Sequence, residues 1–530
     1  MQYHILITIP IYILLHAGLA GIFRKAGEDA WKAFVPVFNI MTWLKLVGRP
    51  NWWLVWFLIP VINFIMGIGL ILDLVRSFGK HKFADQLPAV LFPYFYFIYL
   101  GFVDKSEYEG KWVELAETKE VPKSSLREWA DAILFAGTAA LVIRIFLIEA
   151  FMIPTTSMEG SLLAGDFLFV SKFHYGVRLP MAPLSVPFVH NTLPLTSSTK
   201  SYLNWLEFPY SRLPGLKDIQ RNEAVVFNYP DDDRNPDVED LGKIEITSMK
   251  QNYIKRCVAI PGDTLEIRSR QIYINGEKGW NPEFMQTSYK VSGLTRKVLD
   301  SEGFRNNFEQ LEGGGLAKQY APDQNNNIEP YMMLVPPGIV RGELDTCTQW
   351  KVHMNETKLA ELKQNYPEVV IVPEEDVVPN FRPTKIFVND ALRLLRQGGL
   401  KYNLFPKVMG LNGWTKDNFG PIYIPKRGET IQLDPRSLLI YEKVIDVYED
   451  HDVDFKAGQV IIDGQVATEY TFEKDYYWMM GDNRHASLDS RYWGFVPDDH
   501  IIGRPWFVLF SWEGGPRWDR FFQPVSKWEE

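Results

Sequence analysis

Apolar runs crowd the first 153 residues of this chain, and they constrain its fold more than any other feature. Four stretches, 5–22, 52–72, 87–103 and 129–153, consist mainly of aliphatic and aromatic residues. A helix needs about 20 apolar residues to cross a bilayer. Any one stretch would also suit a buried helix of a soluble protein. Four of them within 153 residues, with tryptophan near their ends, predict a multi-span α-helical membrane region.

Basic residues predict how these segments are oriented. Arg24 follows the first run, and Lys123 and Arg127 precede the last, so both loops are expected in the cytoplasm. The first run lacks a basic start and a small-residue cleavage site, so we expect it to be retained. Everything after Ile153 is then predicted to be exported. The basic segment 76–82 would fall on the outer side, which leaves the middle topology open.

After residue 165 the sequence changes to short alternating segments broken by glycine, proline and aspartate. This pattern predicts a mainly β exported domain. The predicted strands are 167–170, 224–228, 264–267, 271–274 and 460–462. Asn-Gly and Asp-Gly pairs predict tight hairpins at 273–277 and 461–465. Residues 281–470 are less regular, with one helical stretch at 356–365, and we interpret them as an insertion or subdomain.

The predicted organisation therefore has five parts. They are a membrane region with about three apolar segments, 1–127; a last transmembrane helix, 128–153; the first part of the exported domain, 154–280; the insertion, 281–470; and the last part of the exported domain, 471–530.

Charge and motif content exclude several classes of function. Lys and Arg number 56 against 65 Asp and Glu, and the net charge is −9. With no basic block, nucleic acid is not an expected partner. P-loop, dinucleotide-binding and zinc-protease motifs are missing from the sequence, so nucleotide and metalloprotease functions lose their usual support. Cys257 and Cys347 fit neither a zinc cluster nor a disulfide framework; they can pair once or stay reduced.

Three polar stretches carry residue types that can perform chemistry. EAFMIPTTSMEGSL (149–162) presents hydroxyls directly after the last apolar run, and NYIKRCVAIPGDTLEI (252–267) places a lysine in a predicted strand. YYWMMGDNRHASLDSRYWGFVP (476–497) is a dense polar loop between aromatics. Each has an ordinary structural explanation on its own: hydroxyls that satisfy the backbone, a solvated lysine, or a polar turn.

In this order the three stretches resemble bacterial type I signal peptidase, a membrane-bound Ser–Lys endopeptidase. PTTSM (154–158) is similar to the family's Pro-Ser-x-Ser-Met motif, and IKR (254–256) with PGD (261–263) is similar to its lysine strand. GDNR (481–484) followed by SLDSRYWG (487–494) is similar to its final motif. The resemblance implies a signal-peptidase-like β fold that removes signal peptides from exported precursors at the outer face of the cytoplasmic membrane. The implied partners are those precursors and the lipid bilayer, and no cofactor or metal is implied.

The resemblance also implies a role for each matched residue. Ser157 is the implied nucleophile, Lys255 its general base and Ser487 the hydroxyl that positions the lysine. Thr155 would contribute its side chain to the oxyanion hole, together with the Ser157 N–H group. Structural support is expected from Asp482, Asp489, Arg256 and Arg491. The implied substrate-binding residues are Phe151, Ile153, Pro154, Met158, Leu162, Tyr253 and Ile254.

This chemistry requires an unusual lysine. A serine needs a base within hydrogen-bond reach, and lysine serves as a base only when it is neutral. Its ordinary pKa is about 10.4, whereas a useful base has a pKa of about 7–8. Such a shift corresponds to roughly 4 kcal/mol. Apolar neighbours such as Tyr253 and Met158 are expected to supply the desolvation that lowers the pKa of Lys255.

Three departures from the family pattern leave the proposed catalytic groups in place. Gly160 stands where the family often has proline, Asn222-Glu223 where it usually has Gly-Asp, and His485 where it often has aspartate. Three alternatives stay open: a specialised Ser–Lys processing peptidase with a narrower substrate, a non-enzymatic membrane-anchored binding protein, and a Ser–His–Asp hydrolase that uses His174 or His485. The last is weakened because no G-x-S-x-G motif surrounds Ser157.

Overall fold

The computed structural model describes residues 2–529 of the 530-residue chain with internal gaps. The gaps are 58–61, 119–135, 138–139, 142, 183–184, 187–188, 195, 197–198, 204–206, 231–245, 305–307, 311–315, 323–327, 335–348, 375–403 and 407–413. The chain divides into two units, one formed by residues 1–145 and 182–208 and the other by 146–181 and 209–530.

The first unit is helical. Its helices are α1 (Gln2–Lys25), α2 (Phe38–Val47), α3 (Leu54–Phe57), α4 (Ile62–Arg76), α5 (Phe83–Leu91), α6 (Pro93–Ile98) and α7 (Trp112–Thr118). α1 packs on α6, and buried side chains from α1, α2, α4 and α6 form a shared core, among them Ile22, Leu44, Leu74 and Phe97. Gly48, with φ +84°, ends α2 in the left-handed conformation that favours glycine.

The predicted multi-span membrane region is wrong. Among the residues that the structure describes, no helix combines the length with the apolar character that a bilayer crossing requires. The described residues of the second apolar run are helical and belong to α3 and α4. The third run is divided at Phe92, because Pro93 starts a new helix there.

Of the predicted last transmembrane helix, 128–153, residues 128–135, 138–139 and 142 lie outside the described residues. The described residues between 136 and 146 are helical, but at 148–152 the prediction of helix is wrong. Residues Ile148–Met152 form a β-strand because they pair antiparallel with residues 167–171, with Ile148 opposite Ser171 and Met152 opposite Phe167. The chain therefore enters the second unit as a strand.

The second unit is mainly β, as predicted for the exported half. Its strands are β1 (Ile148–Met152), β2 (Asp166–Ser171), β3 (Ala224–Asn228), β4 (Asn252–Ala259), β5 (Thr264–Arg268), β6 (Gln271–Ile274), β7 (Glu277–Lys278), β8 (Thr287–Ser292), β9 (Phe308–Gln310), β10 (Leu316–Pro322), β11 (Ile328–Leu334), β12 (Gln349–Met354), β13 (Val370–Pro373), β14 (Phe419–Tyr423), β15 (Thr430–Gln432), β16 (Val453–Lys456), β17 (Gln459–Ile462), β18 (Gln465–Ala467), β19 (Glu469–Thr471), β20 (Tyr476–Met480), β21 (Val496–Pro497) and β22 (Ile501–Ser511). Its helices are α8 (Arg296–Ser301), α9 (Glu356–Asn365), α10 (Pro435–Lys443) and α11 (Ser490–Trp493).

A seven-stranded sheet with the order β1-β2-β22-β3-β4-β20-β21 organises this unit. β22, near the end of the chain, lies between β2 and β3, which come early in the unit, and it pairs with both of them. One core under this sheet contains Ile153, Met158, Leu168 and Val226, and a second contains Phe227, Cys257 and Trp493. Cys257 is a free, buried thiol, while Cys347 lies outside the described residues.

The five predicted strands and both predicted hairpins are confirmed. Asn275 and Gly276 (φ +54° and +84°) turn the chain between β6 and β7, and Asp463 and Gly464 (φ +51° and +77°) do so between β17 and β18. These are the left-handed conformations that tight hairpins require.

Residues of the predicted insertion take part in several sheets. β8, β9, β12 and β13 form a four-stranded sheet that packs, together with α8 and the predicted helix α9, around Tyr289, Val291, Trp350 and Leu362. β14 instead joins β5, β6 and β7. α10 begins at a capping box, in which Asp434 accepts a hydrogen bond from the Ser437 N–H group at 2.7 Å. The predicted limits of the insertion, 281 and 470, stay a prediction.

Candidate active site

Ser157 lies in a single 3₁₀ turn, Thr156–Met158, between β1 and β2. The turn is fixed on both sides. Before it, Ile153 exchanges backbone hydrogen bonds with Gly165 and Asp166 at 2.8 and 2.9 Å. After it, the Leu162 N–H group donates to the Met158 carbonyl at 2.9 Å, and both side chains are fully buried. Because the apolar residues anchor the turn, the Ser157 side chain is held at a defined position.

Lys255 lies on β4, where it stands opposite Val225 of β3. Its Nζ is 2.8 Å from Ser157 Oγ and also donates to the Ile254 carbonyl at 2.8 Å. Only 3% of Lys255 and 9% of Ser157 is exposed. The structure therefore brings together a hydroxyl and an amine that are 98 residues apart in the sequence, at hydrogen-bond distance.

Burial changes the acid–base chemistry of this lysine. Desolvation lowers the pKa of Lys255 to about 8, although the carboxylates of Asp489 and Asp482 act to raise it. The amine is thus neutral in a substantial fraction of molecules near pH 8. A neutral amine beside a serine hydroxyl can accept its proton, which is the property that a general base needs.

Thr155 directly precedes the 3₁₀ turn Thr156–Met158, here called the nucleophile turn because it carries the predicted nucleophile Ser157. Its Oγ1 is 3.4 Å from Ser157 Oγ, and its backbone is extended (φ −131°, ψ 160°). The hydroxyl of Thr155 is therefore close to the place where an oxyanion would form during attack by Ser157. A donor at such a place stabilises the developing negative charge.

The loop after β20 connects the turn that carries Ser157 to the strand that carries Lys255 through a buried ion pair. Asp482 binds Arg256 bidentately, with Nε at 2.7 Å and Nη2 at 2.6 Å. It also accepts a hydrogen bond from Ser161 at 2.5 Å. The N–H group of Asn483 donates to the Ser157 carbonyl at 3.1 Å. Asp482 and Asn483 therefore hold the nucleophile turn against the lysine strand.

A second buried ion pair holds the same loop. Asp489 binds Arg491 at 2.9 and 2.7 Å and accepts the Gly481 N–H group at 3.1 Å. Burial acts to raise the pKa of Asp489, but the charge and hydrogen bonds of Arg491 outweigh burial, so this pKa is lower than usual. Asp489 is consequently a carboxylate at neutral pH, and it fixes both ends of the segment that carries Ser487.

Ser487 is buried, and its hydroxyl is close enough to the Asp489 carboxylate to contribute to the lowered pKa of that group. It packs against Gly481, where an added Cβ would lie 2.5 Å from the Ser157 carbonyl oxygen and 2.5 Å from Ser487 Cβ. Ser487 is thus beside the nucleophile, but the described partners of Lys255 Nζ are Ser157 and Ile254. The predicted role of Ser487 in positioning Lys255 stays a prediction.

Gly481→Ala is expected to lower the free energy of unfolding by about 1–3 kcal/mol, since the added methyl group overpacks the contact with Ser157 and Ser487. Chemical denaturation followed by tryptophan fluorescence measures this loss. Gly67→Ala in α4 is the control, because open space surrounds that position. Equal stability of the Gly481→Ala variant and the wild type would show that the contact is loose.

A cleft of about 410 Å³ runs beside Ser157 and Lys255. One wall is β1 and the residues that follow it, and the other is the start of β4. The lining residues are Phe151, Met152, Ile153, Pro154, Thr155, Ser157, Leu168, Val226, Gln251, Asn252, Tyr253, Ile254, Lys255, Ala486 and Leu488. β1 is the outer strand of its sheet, and β20 pairs with β4 only from Arg256 onward. Both walls therefore offer strand edges to the cleft.

Five of the seven residues predicted to bind substrate line this cleft. The other two, Met158 and Leu162, lie in the core beneath it. Five further lining residues are not predicted from the sequence: Leu168, Val226, Gln251, Ala486 and Leu488. Of these, Ala486 and Leu488 could have been predicted, because they flank Ser487 in the sequence. Ser161 and Asn483 were also missed, because their contacts join positions more than 300 residues apart.

The two histidines of the alternative hydrolase have other contacts. His485 accepts a hydrogen bond from the Ser288 N–H group at Nδ1 (3.2 Å), so its Nε2–H group donates to Asp417 (2.8 Å). The Nδ1 atom of His174 is 3.4 Å from Ser171 Oγ. Of the bases considered, Lys255 is the one that contacts Ser157.

A serine held by a buried lysine, beside a cleft bounded by two strand edges, is the arrangement of a serine peptidase with a lysine base. Comparison of the sequence with known protein families supports this class of enzyme. Residues 126–333 and 424–510, more than half of the chain, match the family described as signal peptidase, peptidase S26. The chain therefore belongs to the signal peptidase family, and the resemblance noted from the sequence is confirmed. Residues 31–111 match a family of unknown function, DUF5684.

Individual relatives carry the same name. Signal peptidase I of Pseudomonas aeruginosa is 34% identical over 138 residues, which are 26% of this chain and 34% of that protein. Signal peptidase I of Helicobacter pylori is 23% identical over 414 residues, which are 75% of this chain and 92% of that protein. The chain thus spans about a third of the length of the Pseudomonas relatives and most of the length of the Helicobacter one.

Proposed function

We propose that this protein is a serine endopeptidase that removes N-terminal signal peptides from exported precursor proteins by a Ser–Lys mechanism. The observation that carries the proposal is the 2.8 Å contact between Ser157 Oγ and Lys255 Nζ at the side of the cleft. Membership in the signal peptidase family supports the substrate class.

In the proposed mechanism, neutral Lys255 accepts the proton of Ser157 as Oγ attacks the carbonyl carbon before the scissile bond. The Ser157 N–H group and the Thr155 hydroxyl stabilise the oxyanion. The protonated lysine then donates its proton to the leaving amine, which gives an acyl-enzyme and the mature protein. Water, deprotonated by Lys255, releases the signal peptide from Ser157 and restores the free hydroxyl.

The substrate is proposed to bind as an extended strand between β1 and β4. Strand addition satisfies the substrate main chain at two edges and leaves alternate side chains for pockets. Phe151, Ile153 and Ile254 are among the residues that line the cleft. These side chains are apolar, which suits the small residues that precede a signal-peptide cleavage site.

The supporting residues have proposed roles that follow from their contacts. Asp482 and Arg256 would keep the lysine strand against the nucleophile turn, and Asp489 with Arg491 would keep the loop that carries Ser487. Ser487 is the proposed positioning group for Lys255, because its buried hydroxyl lies on the loop that packs against the turn of Ser157, the residue that the amine contacts.

We propose that the reaction takes place on the exported side of a bacterial cytoplasmic membrane, in contact with the lipid surface. The support is the nature of the substrates, whose apolar signal peptides lie in the bilayer and are cut at its outer face. The relatives are proteins of bacteria, which supports the bacterial setting. A specialised Ser–Lys peptidase that cleaves a narrower set of precursors would use the same site.

A precursor with alanine at the first and third positions before the cut is expected to be processed, and one with phenylalanine at either position is expected to be cut at least about 100-fold more slowly. The reason is that an aromatic ring overfills a pocket shaped for a methyl group. Cleavage is followed by gel shift, and the product's N-terminus is sequenced. A phenylalanine at the second position serves as the control. Equal rates for the alanine precursor and the three phenylalanine precursors would contradict the pocket assignment.

A further inference from the structure

Residues 280–288 contact three separate parts of the site without lining its cleft. We propose that this segment, here called the buttress segment, positions the peptidase site by holding together the lysine strand, the nucleophile turn and the loop 481–491. The inference rests on the proposed function and adds to it a set of positioning residues from outside the three motifs.

The first contact is with the lysine strand. Arg256, which follows Lys255, has its guanidinium against two rings of the buttress segment, with Cζ 5.3 Å from the centroid of Trp280 and 5.5 Å from that of Phe284. These are cation–π distances. The same guanidinium binds Asp482 and donates to the Asn222 carbonyl at 2.5 Å. The rings therefore restrict a group that already joins β4 to the loop.

The second contact is with the nucleophile turn. Gly160, three residues after Ser157, has φ +101° and lies directly against the backbone of Phe284. A Cβ atom at position 160 would collide with the Phe284 carbonyl oxygen. Proline, whose φ is fixed near −65°, cannot take this conformation. The glycine at this position is thus explained by the approach of the buttress segment.

The third contact is with the loop 481–491. The Gln286 N–H group donates to the Asp482 carbonyl at 2.9 Å, and the Arg484 N–H group donates to the Gln286 carbonyl at 2.8 Å. The Ser288 N–H group donates to His485 at 3.2 Å. These bonds form a short parallel bridge between the buttress segment and the loop. His485 therefore binds the loop to β8, and this structural role differs from that of a catalytic base.

The three contacts predict a particular kind of defect. The charged groups around Lys255 are Asp482 and Asp489 from the loop and Arg256 from its own strand. Loosening Arg256 would leave the negative charge of Asp482 less compensated. The pKa of Lys255 would then rise, and Ser157 would be less well aligned. Because the cleft is untouched, the turnover number is expected to fall while KM stays nearly constant.

The test compares Trp280→Ala, Trp280→Phe and the control Tyr273→Ala in the full chain, with a signal-peptide precursor as the probe. Tyr273 also has an arginine over its ring, Arg268 at 4.6 Å, but this pair lies on the hairpin β5–β6, and neither residue lines the cleft. Trp280→Ala is expected to lower kcat about tenfold or more with KM within twofold, and to move the rise of kcat/KM to higher pH. Trp280→Phe is expected to restore most of kcat, and Tyr273→Ala to match the wild type.

Three results would overturn the proposal: a Trp280→Ala enzyme with wild-type kcat and pH profile, a change in KM alone, or an equal loss in Tyr273→Ala. Thermal unfolding of each variant separates misfolding from misalignment, and Trp280→Phe supplies the answer if Trp280→Ala does not fold. Wild-type cleavage that depends on Ser157 is measured in the same assay. Its absence would refute the proposed function, whereas its presence with an unaffected Trp280→Ala enzyme would refute only the buttress.

Discussion

Ser157→Ala is expected to lower kcat for precursor cleavage by about 10⁴-fold or more, because the atom that attacks the substrate is lost. The rest of the site should persist, since the turn is anchored by Met158, Leu162 and backbone hydrogen bonds. The measurement is single-turnover cleavage of a purified precursor by detergent-prepared protein.

Ser301→Ala provides the matched control for this substitution. Ser301 is an exposed serine whose hydroxyl bonds only locally among the described residues, to the Val298 carbonyl at 2.8 Å. This variant should cleave at the wild-type rate. Cleavage by Ser157→Ala within a few fold of wild type would refute the nucleophile assignment and favour a protein that binds precursors without cutting them.

Lys255→Arg is expected to be as inactive as Lys255→Met, about 10³-fold or more below wild type. Arginine keeps the charge and much of the length, but it does not deprotonate in proteins and therefore cannot accept the Ser157 proton. Lys297→Arg, an exposed lysine on α8, is the control for the substitution itself. Near-normal turnover of Lys255→Arg would exclude a lysine base.

The pH dependence of cleavage by the wild type gives an independent measurement of the pKa of Lys255. The folded-state pKa of Lys255 is depressed to about 8 by burial, so the neutral base forms as pH rises through that value. The kcat/KM of the wild type should rise about tenfold per pH unit below pH 8 and level off above it. The same depressed pKa means that the buried amine is most costly to stability at low pH, where it must carry a charge. A rate that falls between pH 6 and pH 8 would contradict the assignment.

The residues of the site could be predicted to a large extent, because each catalytic group lies in a short motif whose order along the chain is distinctive. The motifs locate Ser157, Lys255 and the two buried ion pairs. They say nothing of the buttress segment, since Trp280 and Phe284 belong to no motif and act through ring contacts with Arg256. Gly160 was noted as a departure, and only the position of the Phe284 carbonyl gives its reason.

The first third of the chain shows where sequence reasoning failed. Hydropathy counts apolar residues in a window, but it does not register where a helix ends. Pro93 starts a new helix after α5, so the third apolar run forms two short helices, and residues 148–152 at the end of the fourth pair with β2 as a strand. Apolar residues that were assigned to lipid contact, such as Ile22 and Phe97, pack against one another. Packing and strand pairing with other parts of the chain therefore determined the structure that these apolar residues adopt.

The position of β22 in the main sheet has a consequence for the timing of activity during synthesis. β22, residues 501–511, bonds to β2 on one side and to β3 on the other, and so it joins the hairpin that presents Ser157 to the hairpin that presents Lys255. A ribosome that has made the first 480 residues has produced both catalytic groups but not the strand between them. The growing chain is therefore expected to remain inactive as a peptidase until β22 has been made.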